Sequence, residues 1–493
     1  MLDNKQQMAR ELSPSILYSF ILVGGLITIA YAVCTQNILI ASAIILLPIT
    51  FAIILYGLKY PSLCYLLYVI YSYYITYLMR YLQRDGLSVG LDILLVFIFI
   101  SILFTHFSTK GHITSQYQIK RGINILTLSY LIWIVFTLFQ FINSKTESEG
   151  IVLGIRIWIF HTLILYIVSS IILSTSKILK LGLIIWGILT VSAFLKLLYQ
   201  RYIGFDTYEN IWLYNGGGAS SHIIWSGIRY FSIFTDAGNY GANMGIVTIV
   251  FAIIAFFTNK KYLKLFYICV AIMGLVGMFM SGTRSAIIVP LGGLLLYCLL
   301  CKNIKVMLIS AIAGLCIFVF LAFTDIGSGN AFIFRMRTAF RPTEDASFNV
   351  RLQNRKEIAT YMEKHPWGAG IDGSIPRLIP QGETYREGSL PPDSFFVRIW
   401  IQTGYVGLFL YIAITIIVFL RCCYIVMFMI KDKQLHQILA SLVCGLFGIY
   451  LNGYAGEGMG LYPTNTLIIV MIAFVLNGPY IDKEIAQQKI KSI

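Results

Sequence analysis

The chain is a series of long apolar runs separated by short polar connections. Most runs are close to twenty residues, the length of α-helix that crosses a hydrocarbon core of about 30 Å. Backbone groups inside a membrane must be hydrogen-bonded internally, so each run is expected to be helical. The pattern predicts roughly 12–14 spans, placed at residues 15–34, 38–56, 61–82, 89–107, 122–142, 151–173, 178–198, 237–257, 265–281, 285–301, 306–324, 395–420, 437–453 and 463–480.

The composition supports this interpretation and excludes a soluble protein. Of the 493 residues, 58% are hydrophobic and only 12% are charged, which would leave too much apolar surface facing water. The expected fold class is therefore all-α, a polytopic transmembrane helical bundle with a large, partly helical periplasmic loop. The N-terminal apolar run is too long for a cleavable signal, so it is expected to be an anchor.

The net charge of +15 follows the membrane pattern rather than indicating nucleic acid. Lys and Arg collect in alternate connections, as in the groups Lys59, Lys260–Lys264 and Lys302–Lys305, whereas connections such as 143–150 and 452–462 have almost no positive charge. Positive connections face the cytoplasm, so both termini are expected to be cytoplasmic.

Two connections on the outer side are long enough to carry chemistry, from about Tyr199 to Asp236 and from about Asp325 to Ser394. They divide the chain into five parts: N-terminal transmembrane helices 1–198, a first large periplasmic loop 199–236, transmembrane helices with an SGTR motif 237–324, a large periplasmic loop 325–394, and C-terminal transmembrane helices with a cytoplasmic tail 395–493.

The larger outer loop is expected to contain a helix from Val350 to His365, because this stretch lacks Gly and Pro and ends before Pro366. Arg351, Arg355, Ile358 and Met362 share one face of it. Two interpretations stay open from the spacing. The helix lies on the membrane surface with snorkelling arginines, or its apolar residues dock on the bundle while the arginines bind an anion.

Arginines dominate the predicted outer face. Guanidinium groups match phosphate oxygens in a bidentate way, so several arginines at one cavity suit a diphosphate. The positions are Arg229, Arg284, Arg335, Arg337, Arg341, Arg351, Arg355 and Arg398. Anchoring to lipid headgroups is the alternative, and it is the preferred explanation for Arg335 and Arg337, which alternate with Phe332, Phe334 and Met336.

Other outer residues are weaker candidates. Trp212 in the first outer loop is a candidate for stacking on a sugar, and His365 could bind substrate or cap backbone carbonyls at the end of its helix. The sequence has no HExxH, GxSxG or Walker pattern, and neither a metal nor a cofactor is expected. His161, inside a span, is expected to be a satisfied core histidine.

Three segments resemble the bacterial O-antigen ligase and O-antigen polymerase (Wzy-like) superfamily. They are the Arg-led entry RYFSIFTDAGNYGANM from Arg229 to Met244, the SGTRSA motif at 281–286, and a stretch from Arg351 through HPWGAG at 365–370 to PDSFF at 392–396, followed by Gly404 and Gly407. Together they cover roughly residues 225–415.

The resemblance implies transfer of a glycan from an undecaprenyl-diphosphate carrier to a glycan acceptor, at the outer face of the bacterial inner membrane and without a metal. It implies that Arg229, Arg284 and Arg351 stabilise the departing diphosphate, supported by Arg355. A chain-length regulator is a further candidate partner.

Asp393 is the candidate base for the acceptor hydroxyl, with helix capping as the alternative. Asp236 has the same two interpretations, with capping favoured. Ligases of the family have a functional His where this chain has Pro392, and the acidic residue that follows is more like the polymerase branch. Polymerisation is therefore the expected activity, with an O-antigen ligase as the alternative and a flippase for the same lipid-linked oligosaccharide as the rival from another class.

Overall fold

The computed structural model describes residues 57–108, 119–143, 148–224, 227–327, 329–340, 346–381 and 384–491. The first two predicted spans, 15–34 and 38–56, lie outside the described residues. Every other predicted span corresponds to a helix. The helices are α1 Pro61–Leu82, α2 Val89–Ser108, α3 Ile125–Gln140, α4 Ser148–Ile172, α5 Ser176–Tyr202, α6 Thr207–Tyr214, α7 Ala219–His222, α8 Ala237–Phe257, α9 Lys261–Met280, α10 Ile288–Leu300, α11 Ile304–Phe323, α12 Ala331–Arg337, α13 Ala346–Lys364, α14 Phe395–Tyr424, α15 Lys433–Asn452, α16 Thr464–Leu476 and α17 Gly478–Lys491.

The predicted all-α polytopic fold is confirmed. Nine helices of the described residues are long and apolar enough to cross a membrane, and α16 with α17, bent by 53°, makes a tenth if the pair is one span. The other two predicted spans correspond to shorter apolar helices, α3 and the segment Arg284–Leu300 that contains α10. Two small antiparallel hairpins, β1 Ile223–Ile224 with β2 Gly227–Ile228 and β3 Pro376–Gln381 with β4 Thr384–Ser389, add strands that the hydropathy pattern does not predict.

The centre of the bundle is formed by α8 and α15. In each helix, 78% of an apolar 18-residue stretch is buried. Helix α8 packs against α9 and α15, and α10 packs against α15. Small residues permit this close approach, because a side chain at Gly245 or Gly448 would collide with Val289 of α10. The helices that end at the candidate site are therefore held by the best-packed part of the molecule.

Predicted outer segments contact one another at one end of the bundle, which we call the arginine end. Arg80 at the end of α1 donates hydrogen bonds to the carbonyl oxygens of Phe234 and Thr235, at 2.8 and 3.2 Å. Predicted inner segments meet at the opposite end, where the Ser176 amide donates to Glu484 at 2.8 Å. The alternation of charge along the sequence therefore agrees with the way the connections are grouped in space.

Helix α13 docks on the bundle rather than lying apart from it. Its Ile358 and Met362 are fully buried, and they belong to one apolar cluster with Val397 and Ile401 of α14. The predicted helix and its docking on the bundle are thus confirmed, whereas anion binding by its arginines stays a prediction.

The loop that follows α13 packs against a break in α14. Gly404 has a φ of 71°, a conformation that favours glycine, and the chain around it bonds to the HPWGAG loop: the Ala369 amide donates to Ile401 O at 2.7 Å and the Tyr405 amide to Pro366 O at 3.2 Å. A Cβ at Gly404 or Gly368 would overlap the backbone of the other segment. Because these two glycines have no side chain, the two segments can approach closely enough to hold α13 against α14.

Candidate functional site

The SGTR motif forms a tight turn after α9. Gly282 has a φ of 59°, the Ser281 hydroxyl accepts a hydrogen bond from the Thr283 amide at 3.1 Å, and the Thr283 hydroxyl donates to Ala237 O at 2.8 Å. The turn is thereby tied to the beginning of α8. It directs Arg284 toward α12 and its following turn, where one guanidinium nitrogen donates to the Thr338 hydroxyl at 3.3 Å.

Arg229 approaches the same turn from the first outer loop. Its guanidinium donates to Ser221 O and to the Thr283 hydroxyl, both at 3.0 Å. Burial lowers its pKa; Asp236 counteracts this shift, and the positive charges of Arg351 and Arg284 add to it. The three predicted arginines therefore lie close enough to influence one another electrostatically.

Helix α13 and the 453–463 connection form the third side of the candidate site. Arg351 donates to Ala455 O at 2.9 Å, and one turn later Arg355 donates to Tyr454 O at 2.8 Å while its guanidinium lies 4.4 Å from the centre of the Tyr454 ring. Both arginines are thus oriented by protein groups, in contrast to the snorkelling interpretation. The backbone carbonyls that orient them could not be recognised from the sequence.

Side chains from these three segments line a cavity of about 350 Å³, which we call the arginine cavity. Arg355 does not line it. Its cationic lining consists of Arg229, Arg284, Arg335 and Arg351, and its apolar lining includes Ile287, Ile288, Leu291, Phe340 and Phe348. The described part of the lining contains no Asp or Glu. The structure therefore brings the three predicted arginines together at one cavity, although their role in binding stays a prediction.

Arg335 is a fourth arginine that the sequence interpretation misplaced. Its alternation with aromatic residues favoured headgroup anchoring, yet its side chain lines the arginine cavity. A Cβ at Gly282 would lie 3.3 Å from Arg335 Cδ and 3.4 Å from Arg229 Cγ, so the two arginines flank the glycine of the SGTR turn. Arg337 also fails to anchor headgroups: it is buried and donates to Ile326 O and to the Thr324 hydroxyl at the end of α11.

Asp393 lies beside the helix that carries Arg351. Its carboxylate accepts a hydrogen bond of 2.8 Å from the buried Asn354 amide, one turn along α13 from Arg351. Asp393 itself has a φ of 57°, and the cap of α14 is Ser394, whose hydroxyl accepts from the Val397 amide at 3.2 Å. The capping alternative for Asp393 is therefore wrong. Asp393 does not line the arginine cavity.

The remaining candidates lie outside the arginine cavity. Asp236 caps α8 by accepting from the Asn239 amide at 2.9 Å, as expected. His365 has its Nδ1 3.0 Å from Tyr361 O and lines a separate cavity beside α3. Trp212 is not an open platform for a sugar, because its ring packs against Arg80, His222 and Phe231.

His222 has a structural role in the first outer loop. Its Nε2 accepts from the Ala237 amide at 3.1 Å, so that Nδ1 carries the proton and donates to Gly218 O at 2.9 Å. Burial lowers the pKa of this imidazole to about 4. The neutral ring thereby joins the loop that carries Arg229 to the beginning of α8.

Comparison with known proteins finds a similarity in the central part of this architecture. The O-antigen ligase family matches residues 268–412, which include the SGTR turn, α12, α13, Asp393 and the break in α14. Arg229 lies outside this match and nevertheless lines the same cavity. No curated protein matches the chain. The family match supports a membrane enzyme in O-antigen biosynthesis, and it confirms that the chain resembles the O-antigen ligase and polymerase superfamily.

Proposed function

We propose that the protein is a membrane glycosyltransferase that polymerises undecaprenyl-diphosphate-linked oligosaccharide repeat units. The observation that carries this proposal is the group of four arginines at one cavity at the arginine end of the bundle. We further propose that this end faces the periplasm, that segments 199–236 and 325–394 lie there, and that both termini are cytoplasmic.

The arginine cavity suits a lipid-linked diphosphate in two respects. Four guanidinium groups provide many donors for phosphate oxygens. The apolar residues Ile288 and Leu291 belong to the membrane helix α10 and could contact the first isoprene units of the carrier. A cavity of about 350 Å³ is within the range of small-ligand sites, so it would hold the diphosphate while the glycan and lipid extend from it.

The proposed reaction breaks the bond between the anomeric carbon of the donor sugar and the diphosphate oxygen. The diphosphate leaves with the electron pair, and arginines already fixed by Thr283, Thr338 and Ala455 stabilise the developing charge without reorganising. The acceptor hydroxyl attacks the anomeric carbon and gives up its proton.

Asp393 is the proposed acceptor of that proton. Asn354 holds its carboxylate by a hydrogen bond. Arg351, which lines the arginine cavity, lies three positions before Asn354 on α13, so the two side chains are neighbours on one helix face. A single-step glycosyl transfer requires a base close to the diphosphate site, where the acceptor hydroxyl attacks.

A second candidate is transfer of the finished glycan to lipid A core or another acceptor. The description of the matched family, O-antigen ligase, favours this activity. The same arginine cavity would bind the same diphosphate donor, and only the acceptor would differ. The flippase alternative has no comparable support, because a cluster of cations at one end of the bundle suits chemistry at that face better than transport across it.

The decisive experiment is reconstitution of the purified protein with lipid-linked repeat units from its own host. Chain elongation supports the polymerase, transfer to lipid A core supports the ligase, and movement alone across the bilayer supports the flippase. Arg284→Ala and Arg351→Ala should each reduce transfer by about 100-fold, whereas Arg84→Ala, an exposed arginine beyond the end of α1, should not. Unchanged transfer in both cavity variants would contradict the proposal. Transfer should also persist in excess EDTA, because the arginines replace a metal.

A further inference from the structure

The HPWGAG loop and the end of α3 line a cavity that no step of the proposed reaction uses. We call it the tryptophan cavity; its volume is about 480 Å³, and it shares no lining residue with the arginine cavity. Its lining combines aromatic and polar side chains, namely Phe136, Phe139, Gln140, Asn143, His365 and Trp367. Because the faces of aromatic rings carry partial negative charge, they attract the C–H groups of a sugar while polar side chains bind its hydroxyls.

Trp367 provides a large ring on a part of the loop whose backbone is fixed. Its side chain is 61% exposed. On one side of it, Pro366 O accepts a hydrogen bond of 3.2 Å from the Tyr405 amide. On the other side, Gly368 is so close to α14 that a Cβ would lie 2.6 Å from Gln402 O. A Trp ring on a rigid backbone loses little conformational entropy when it binds a ligand, so Trp367 is a preorganised surface for stacking.

His365 provides a hydrogen-bond acceptor in the same cavity. Its Nδ1–H donates to Tyr361 O at 3.0 Å, and its ring stacks on the Tyr361 ring with the centres 4.2 Å apart. Nε2 of the neutral imidazole is then an acceptor, and it has no hydrogen-bond partner among the described residues. The two interpretations of His365 are therefore compatible, because one ring nitrogen caps a backbone carbonyl and the other is available to a ligand.

Anchoring in the membrane interface is the simpler explanation for exposed aromatic residues at the end of a span. It does not account for the polar wall of the cavity. The Asn143 amide donates to Gly368 O at 3.4 Å and to Gln140 Oε1 at 3.3 Å, so the end of α3 and the loop form one continuous surface. An interface anchor requires rings, whereas an oriented imidazole beside side-chain amides favours a ligand with several hydroxyls.

Helix α13 connects the tryptophan cavity to the arginine cavity. Arg351 lines the arginine cavity near the beginning of the helix, and His365 directly follows its last residue, Lys364. Arg351 and His365 are fourteen positions apart, which corresponds to about 20 Å along an α-helix. Asn354, which binds Asp393, lies between them. A glycan on a diphosphate in the arginine cavity would therefore pass the proposed base before its later sugars reach the tryptophan cavity.

We propose that the tryptophan cavity binds the distal sugars of the diphosphate-linked glycan. Trp367 stacks on a sugar ring, and His365 Nε2 accepts a hydrogen bond from a sugar hydroxyl. The identification of this glycan as the substrate rests on the proposed function. Among the described lining residues only Lys364 is charged, so the diphosphate of the same molecule stays with the four arginines and the tryptophan cavity holds sugars alone.

The test is photo-cross-linking of the full chain in the native host membrane. A photoreactive amino acid replaces Ile142, which lines the tryptophan cavity and is 80% exposed, or Ile123, which is 74% exposed before the other end of α3. Adducts are analysed by mass spectrometry for sugar and for ordinary phospholipid. A sugar-containing adduct at 142 and not at 123 is the expected result. Phospholipid alone at 142 would overturn the proposal in favour of interface anchoring.

Substitution of Trp367 tests the stacking contact. Trp367→Ala should reduce the sugar adduct about five-fold, because the ring that packs on the sugar is removed. Tyr202→Ala is the matched control, since Tyr202 is 75% exposed at the end of α5 and does not line the cavity. An unchanged adduct in properly inserted Trp367→Ala protein would contradict the stacking.

Two substitutions of His365 separate its two ring nitrogens. His365→Asn keeps a donor for Tyr361 O but has no acceptor at the position of Nε2, so it should reduce the sugar adduct about five-fold. His365→Gln places its side-chain oxygen near that position and should retain most of the adduct. Equal reduction by both variants would assign the effect to the loop and contradict the hydrogen bond.

The same experiment separates this inference from the proposed function. Cross-linking requires no transfer, so a sugar adduct at 142 in a protein without transferase activity would retain the glycan site and reject the proposed function. Conversely, transfer activity with no sugar adduct at 142 would retain the proposed function and reject the glycan site.

Discussion

At the scale of single residues, the arginine cavity depends on how each guanidinium is held. Arg229 donates to Ser221 and Thr283, Arg284 to Thr338, and Arg351 to Ala455. Fixed donors of this kind lower the barrier of a reaction that develops negative charge, because they do not have to reorient during the reaction. The fourth arginine offers a test of whether the cavity acts as one unit.

Arg335→Ala should reduce transfer by about 100-fold, because it removes a cation from the cavity lining while the other three arginines stay in place. Arg201→Ala is the matched control. Arg201 is exposed and packs on Phe332 of α12, the helix that also carries Arg335. Initial rates in proteoliposomes measure the effect. Equal rates for the wild type and Arg335→Ala would show that Arg335 does not contribute to the diphosphate site.

Asp393 and Ser394 separate chemistry from helix capping. Asp393→Asn should abolish most transfer, by about 100-fold or more, because an amide cannot accept the proton. Its thermal stability should be unchanged, because Asn tolerates the φ of 57° and Ser394 provides the cap. Ser394→Ala should instead lose about 1 kcal/mol of stability. Full activity of Asp393→Asn would exclude Asp393 as the base.

His222 makes stability at the arginine end depend on pH. Its pKa in the folded protein is about 4, below the unfolded value of 6.5, so protonation favours unfolding. Stability should be constant above pH 6.5 and should decrease as the pH falls toward 4, by at most about 3 kcal/mol. Thermal unfolding in detergent at pH 7.5, 5.5 and 4.5 measures this loss. The His222→Gln variant should lose less over the same range, and an identical loss would assign the effect to other groups.

At the scale of elements, the position of α13 depends on the backbone contact between the HPWGAG loop and the break in α14. Gly404→Ala would place a Cβ against Pro366, at a φ of 71° that alanine rarely adopts. The variant should expose α13 to limited proteolysis and lose transfer activity. Gly86→Ala is the control, because nothing lies within 4 Å of a Cβ at that position. Resistance of Gly404→Ala to proteolysis would show that the break is not needed for docking.

The elements also show what the sequence could and could not predict. Membrane helices were predictable because the bilayer requires long apolar runs. Helix α13 was predictable because its stretch lacks Gly and Pro and ends before Pro366, and its apolar face was predictable from the spacing of Ile358 and Met362. Arg335 was misplaced because its inward direction depends on the Gly282 turn, which is distant in sequence. Arg351 and Arg355 bind backbone oxygens at 454–455, which every residue type has, so the sequence of that segment does not reveal these contacts. Convergence of separate segments required the tertiary structure.

At the scale of the whole molecule, the grouping of connections makes the orientation testable. Arg80 and the 234–235 backbone meet at the arginine end, whereas Lys489 pairs with Asp432 at 2.7 Å at the opposite end. The positive connections should face the cytoplasm, so the arginine end should face the periplasm.

A cysteine introduced either at Gln353 or at Lys305, both exposed, tests this orientation in the full chain. A membrane-impermeant maleimide added to intact spheroplasts should label position 353 on α13. Position 305, at the beginning of α11, should be labelled only after the membrane is permeabilised, because its connection is lysine-rich. The unsubstituted protein controls for labelling of the native cysteines. Labelling of 305 but not 353 in intact spheroplasts would place the arginine cavity on the cytoplasmic side, where a periplasmic polymerase could not use it.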